Sequence, residues 1–203
     1  MIPLPLYLSF IGATVALMLL PGPNVSLIVA QALSRGRRAA LMTVCGTTTA
    51  MIVQLALVAL GLSAVLSALA PWMNLLRWIG VAYLIYLAVR TWRAPSVTDV
   101  TPDALHATFG RGLLVSLFNP KTLFFYGAFF PQFVDLARPL PTQLVVLSVT
   151  FVIIAVIVDS AWALMAARLR PWLATRARLQ KRLSAGLLAV AAAGLSLSRR
   201  GAQ

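Results

Sequence analysis

Long uncharged runs constrain this chain more than any other feature. Residues 4–34 and 39–76 carry no charged side chain, 112–134 carry only Lys121, 139–167 carry only Asp159, and 183–198 carry none. A helix needs about 20 mostly apolar residues to cross the hydrocarbon core of a bilayer. Six segments follow, roughly 4–33, 39–68, 72–90, 110–134, 140–167 and 183–198. The third has Arg77 near its start, where a long side chain can snorkel to the interface, and the sixth is short. The chain is 61% hydrophobic and 10% charged, against about 25% charged in an ordinary soluble domain. Disordered, collagen-like and soluble-enzyme readings are excluded. The first segment lacks a basic start and continues past a Pro-Gly-Pro break, so it reads as part of the membrane domain and not as a cleaved leader.

The charges that remain are lopsided, with 17 Lys and Arg against four Asp and a net charge of +13. In a soluble protein that balance points to nucleic acid; here the position of the arginines decides otherwise. Arg35, Arg37 and Arg38 lie between segments one and two. Arg90, Arg93 and Arg111 flank the loop between three and four, and Arg168, Arg170, Arg176, Arg178, Lys181 and Arg182 lie between five and six. Twelve basic residues thus sit on odd-numbered loops, which the positive-inside rule makes cytoplasmic, with the N-terminus outside. The basic stretch 168–182 is an orientation signal on this reading and not a nucleic-acid patch. Six spans put the C-terminus outside as well, against which Arg199 and Arg200 argue. Either they are a tolerated exception or the short last segment does not fully cross.

Two of the segments are broken. Segment one is interrupted by Pro21-Gly22-Pro23-Asn24 and segment four by Asn119-Pro120-Lys121. Proline inside a helix costs roughly 3 kcal/mol and removes a donor. In lipid the freed backbone groups need partners in the protein or in a watered cavity. Each break lies in the first segment of its half of the chain, and three spans per half reverse the direction of entry. That is the arithmetic of a 3+3 inverted repeat in a single transmembrane domain over 1–203, with repeats of about 1–95 and 105–203. Interrupted segments at corresponding positions point to a midplane transport site. The half-helix starting near Pro23 offers N–H groups at its positive end, over Gly22, Pro23, Asn24 and Val25, which suits a carboxylate. Asn24 and Asn119 each donate and accept, and Lys121 either neutralises a carboxylate or is held by Asp159.

Asp159 is the one acid inside an apolar run, where ionisable groups are usually functional. It carries a proton, binds a substrate amine, or forms a static ion pair with Lys121. Trp162 shares its helical face and is a weaker cavity candidate, with core packing the equal alternative. Gln54 and Tyr83 are weaker cavity candidates, while Gly46-Thr47-Thr48-Thr49 reads as a packing face. Such small-residue faces serve either within one chain or between copies in a homo-oligomer. Cys45 and His106 stand alone, and His106 falls in a polar loop. No metal site, cofactor or nucleophile–base pair is expected, which disfavours a membrane-embedded enzyme.

At these motifs the sequence resembles the lysine-exporter superfamily, on its RhtB-like (homoserine/threonine-resistance) branch. The resemblance rests on Pro21-Gly22-Pro23-Asn24, residues 80–87 (Gly-Val-Ala-Tyr-Leu-Ile-Tyr-Leu), Phe109-Gly110-Arg111-Gly112, Asn119-Pro120-Lys121, Phe130-Pro131-Gln132-Phe133, and Asp159 with Trp162. It covers essentially the whole chain. Ala88 departs from it, standing where the family has glycine. The resemblance implies a multi-pass exporter of amino acids or related metabolites in the bacterial inner membrane, driven by protons. A passive small-solute channel is the competing function. The substrate is not legible, although a single intramembrane acid disfavours a lysine-like dication.

Overall fold

A computed structural model describes residues 2–59, parts of 78–93, 102–126, 130–135, 137–174 and 177–197. Most of segment three, including Tyr83, lies outside the described residues, as do Arg77, Arg199 and Arg200. The described elements are helical: α1 Leu4–Leu19, α2 Pro23–Arg35, α3 Arg37–Ala59, α4 Pro102–Leu117, α5 Pro120–Phe124, a 3-10 turn Phe130–Phe133, α6 Leu140–Ala174 and α7 Ala177–Leu197. By length and composition α3 and α6 can each cross a membrane, and α1 with α2 forms a third candidate bent by 50° at its break.

Both prolines of the first break do what their chemistry dictates. Pro23 takes the first position of α2, where its missing N–H is no loss. Pro21 lies in the linker. The other end of α2 is closed by Gly36 at φ +86°, a left-handed conformation that favours glycine. Its N–H donates to the Ala32 carbonyl at 2.9 Å, and α3 begins at the next residue.

Three boundaries differ from the sequence expectation. The basic stretch 168–182 is no open loop, because α6 runs on to Ala174 and α7 starts at Ala177. Arginine and lysine are good helix formers, so the helices continue past the apolar residues that started them. For the same reason the last helix is 21 residues long, though only Arg182–Ala193 is its apolar part. Segment four begins early, at Pro102, which places His106 on α4 and not in a loop.

Exposure is inverted relative to a soluble fold. Ten of the 13 residues of α2 are buried, among them Asn24, Ser26 and Gln31. On α6, Val145, Val149, Ile153, Ile157 and Met165 are exposed, forming an apolar stripe suited to lipid. On one side of the break level, Phe10, Phe125, Tyr126, Phe130 and Phe151 pack together. Their rings meet edge-on, as in Phe10–Phe130 at 5.6 Å between centroids and Tyr126–Phe151 at 5.1 Å. The Tyr7 and Thr150 hydroxyls, 2.8 Å apart, tie α1 to α6 on that side. On the other side Ile28, Ala32, Ala40, Val44, Ala163 and Ala166 form the core, with Trp162 packed against it. Leu27 and Ala30 of α2 join Leu188, Ala191 and Ala192 of α7 in a third cluster.

Helices α3 and α4 approach until their backbones touch. A Cβ on Gly46 would collide with the Phe109 carbonyl, and one on Gly112 with that of Thr43. Gln54 lies on the same interface. Its Nε2 donates to the carbonyls of Ser116 at 3.1 Å and Leu117 at 2.9 Å, acceptors freed where α4 stops. Gly46→Ala is expected to destabilise the protein by about 1–3 kcal/mol, because backbone cannot move aside. Gly186→Ala, with nothing within 4 Å of the added carbon, is expected to be neutral or slightly stabilising. Thermal unfolding in detergent distinguishes the two. Gln54→Leu is expected to cost about 1–3 kcal/mol in the same measurement, because buried carbonyls lose their donor.

Candidate functional site

The two breaks meet. Asn119 caps α5, its Oδ1 accepting from the Lys121 backbone N–H at 3.1 Å. Its Nδ2 donates to Asn24 Oδ1 at 2.9 Å, across 95 residues of chain. Asn24 Nδ2 donates in turn to Ser116 Oγ at 3.1 Å, and Ser116 Oγ donates to the Thr47 carbonyl at 3.2 Å. This buried chain of bonds links α5, α2, α4 and α3. Thr122 adds a bond from its hydroxyl to the Asn119 carbonyl at 3.0 Å.

Lys121 reaches from the second break to the first. Its Nζ donates to the Leu20 carbonyl at 2.6 Å, at the C-terminal end of α1, where the helix dipole is negative. The side chain passes so close to Gly22 that a Cβ there would stand 3.2 Å from Lys121 Cδ and 3.3 Å from Nζ. Within α2, the Ser26 N–H bonds to the Gly22 carbonyl at 2.8 Å. The amides of Asn24 and Val25, one and two places earlier, therefore have no partner within the helix.

Asp159 sits on α6 at 1% exposure. Its Oδ2 is 3.5 Å from the Thr47 hydroxyl, which stands closer, at 3.0 Å, to the Val44 carbonyl. Its Oδ1 has no hydrogen-bond partner. The direct ion pair with Lys121, one of the alternatives open from sequence, is not formed, because the ammonium is engaged at Leu20. Both groups nevertheless line one cavity, together with Gly22, Asn24, Val25, Asn119, Thr122, Met18 and Met51. The cavity is small, about 10 Å³, which is room for about one water molecule.

The expected site residues thus divide. Gly22, Asn24, Val25, Asn119, Lys121 and Asp159 surround the cavity. Pro21, Pro23 and Pro120 shape the breaks, the last as the first residue of α5. Gln54 does not reach the cavity, because its amide is spent on the broken end of α4. Trp162 packs into the apolar core beside Ile28 and Ala163 instead. Ser116, Thr122, Met18 and Met51 were not singled out from sequence, and Thr47 was assigned to packing alone. The signal for Ser116 was its place three residues before Asn119, and for Thr122 its adjacency to Lys121. The methionines carried none. Among the described residues no three His, Cys, Asp or Glu side chains gather in a way that would hold a metal.

The cavity is lined both by donors, Lys121 and the start of α2, and by the carboxyl of Asp159. Known proteins are similar to this chain. Residues 15–199 match the LysE type translocator family. The chain is 29% identical over 171 residues to a homoserine/homoserine lactone efflux protein of Salmonella typhimurium, covering 82% of this chain and 83% of that one. It is 33% identical over 167 residues to an uncharacterised membrane protein of Vibrio cholerae, covering 80% and 82%. A leucine efflux protein of Salmonella typhimurium is 28% identical over 139 residues, covering 66% and 65%. No solved structure matches the chain. With the family's pattern spanning nearly its full length, this chain belongs to the LysE-type translocators.

Proposed function

We propose that the protein is a secondary exporter of amino acids or closely related metabolites across the bacterial inner membrane, working as a proton-coupled antiporter. The observation that carries this reading is the Asn119–Asn24 bond, which joins two broken helices around one cavity holding Lys121 and Asp159. Broken helices at matching positions support a six-span, 3+3 inverted repeat with halves of about 1–95 and 105–203. The substrate carboxylate meets the α2 amides at Gly22–Val25 and the Lys121 ammonium; Pro23 leaves that helix end open, and Asn24 and Asn119 orient the ligand. Asp159 carries the proton. The homoserine and leucine efflux relatives support small neutral amino acids as cargo.

In this arrangement the cavity has room for about one water. Transport therefore requires the half-helices to part, with the non-helical linker at residues 20–22 as the place that bends. Lys121 leaves Leu20 when a carboxylate arrives, because a charged acceptor outcompetes a carbonyl.

Purified protein in proteoliposomes with labelled L-homoserine or L-leucine tests the reading. A pH gradient is expected to drive saturable uphill movement that an uncoupler abolishes. Downhill movement that ignores the uncoupler would make the protein a passive channel instead. Asp159→Asn is expected to abolish gradient-driven movement. Lys121→Ala is expected to raise the half-saturating concentration in counterflow about tenfold or more, the worth of a charged hydrogen bond. Counterflow at the wild-type affinity and rate would remove Lys121 from the mechanism.

A further inference from the structure

Transport proteins that exchange a proton for a substrate need a reason why the two do not cross together. One answer is two separate sites linked by a conformational change. Another is one site that both ligands claim. The surroundings of Asp159 decide between these for this chain.

Asp159 is almost wholly buried, lines the cavity between the breaks, and has one oxygen without any hydrogen-bond partner. Its other oxygen has only a long contact to a hydroxyl that has a nearer acceptor. The carboxyl is thus carried by its helix with Oδ1 unpartnered. A buried acceptor in this condition requires a donor, and the protein supplies none. The charged group that faces it is Lys121 of α5, whose ammonium is bound elsewhere. From α2 and α3 it faces Asn24 and Thr47, and from α1 Met18, none of them ionisable; among the described residues α7 adds nothing to the cavity.

The free space takes about one water molecule, and the donors for a carboxylate line it too. An α-amino acid carries its ammonium and its carboxylate on one carbon. With its carboxylate at the α2 amides and Lys121, its ammonium is left in the same cavity, which Asp159 also lines. We infer that Asp159 is the substrate-ammonium site as well as the proton site, so that one carboxyl holds either a proton or the amine, never both. The inference rests on the exporter reading above and adds to it the class of substrate: zwitterions with a free primary amine.

The exchange balances. Facing the outside, the ionised carboxyl releases the substrate ammonium and takes one proton from water. Facing the cytoplasm, it returns that proton to water and accepts the ammonium of the next substrate. One proton enters for each zwitterion that leaves. The site with its proton carries one more positive charge than the site with its substrate, so inward-negative potential speeds the cycle.

The test uses the wild-type protein in proteoliposomes, with labelled L-leucine and L-homoserine in equilibrium exchange at equal pH on both sides. The half-saturating concentration is expected to rise on the acidic limb by about tenfold per pH unit with the maximal rate unchanged. N-acetyl-L-leucine, which keeps the carboxylate and lacks the ammonium, is expected not to compete. Asp159→Asn, checked for folding by its elution in detergent, is expected to lose exchange at all pH values. A two-site antiporter gives the opposite pattern: Asp159→Asn still exchanges, or acid lowers the maximal rate at constant half-saturation, or the N-acetyl compound competes as well as leucine. Any of these overturns the single-site inference and leaves the exporter intact. If the wild type exchanges neither amino acid, the exporter reading falls and this inference falls with it.

Discussion

A helix that breaks inside a bilayer exposes polar backbone ends that lipid cannot satisfy, and everything around the site answers that one demand. Each break is completed by residues from elsewhere in the chain. The carbonyl end of α1 at Leu20 is met by Lys121 from the second break. The carbonyl end of α4 is met by Gln54 of α3. The two asparagines join one break to the other. Interhelical bonds of this kind contribute modestly in membranes, about 0.6 kcal/mol on average. Their weight lies in the alternative, an unpaired carbonyl or amide in hydrocarbon at several kcal/mol.

The close packing of α3 on α4 follows from the same demand. Gln54 has a short side chain for the distance between two helix axes. It reaches the carbonyls of Ser116 and Leu117 because Gly46 and Gly112 let the backbones touch. The glycines therefore position a polar contact as well as save volume.

What the sequence made legible was whatever a local pattern can carry. Proline, glycine and a charge in an apolar run are visible at once, so the breaks at residues 21–24 and 119–121 and the intramembrane charges of Lys121 and Asp159 could be read directly. The meeting of the breaks followed from their matching positions. Gln54 was misplaced because its partners are distant, while Trp162, open between cavity and core, packs in the core. A glutamine in a membrane helix looks the same whether it faces a cavity or a broken end, and a tryptophan three residues from Asp159 shares its face only approximately. Thr47 was hidden in a run of small and hydroxyl residues whose packing role was sufficient reason for it. The ends of α6 and α7 were misjudged because uncharged length marks where lipid ends, while helix propensity marks where the helix ends.

The one-water cavity has a consequence for the cell that keeps this protein in its membrane. Protons cross bilayers readily along files of hydrogen-bonded water, and a pore with such a file would dissipate the cell's proton gradient. Here Met18 and Met51 bound a space for about a single water, with the ring cluster of Phe10, Phe125, Tyr126, Phe130 and Phe151 packed nearby. No relay of waters fits in such a space. A ligand larger than a water reaches the groups around this cavity only if the two breaks part.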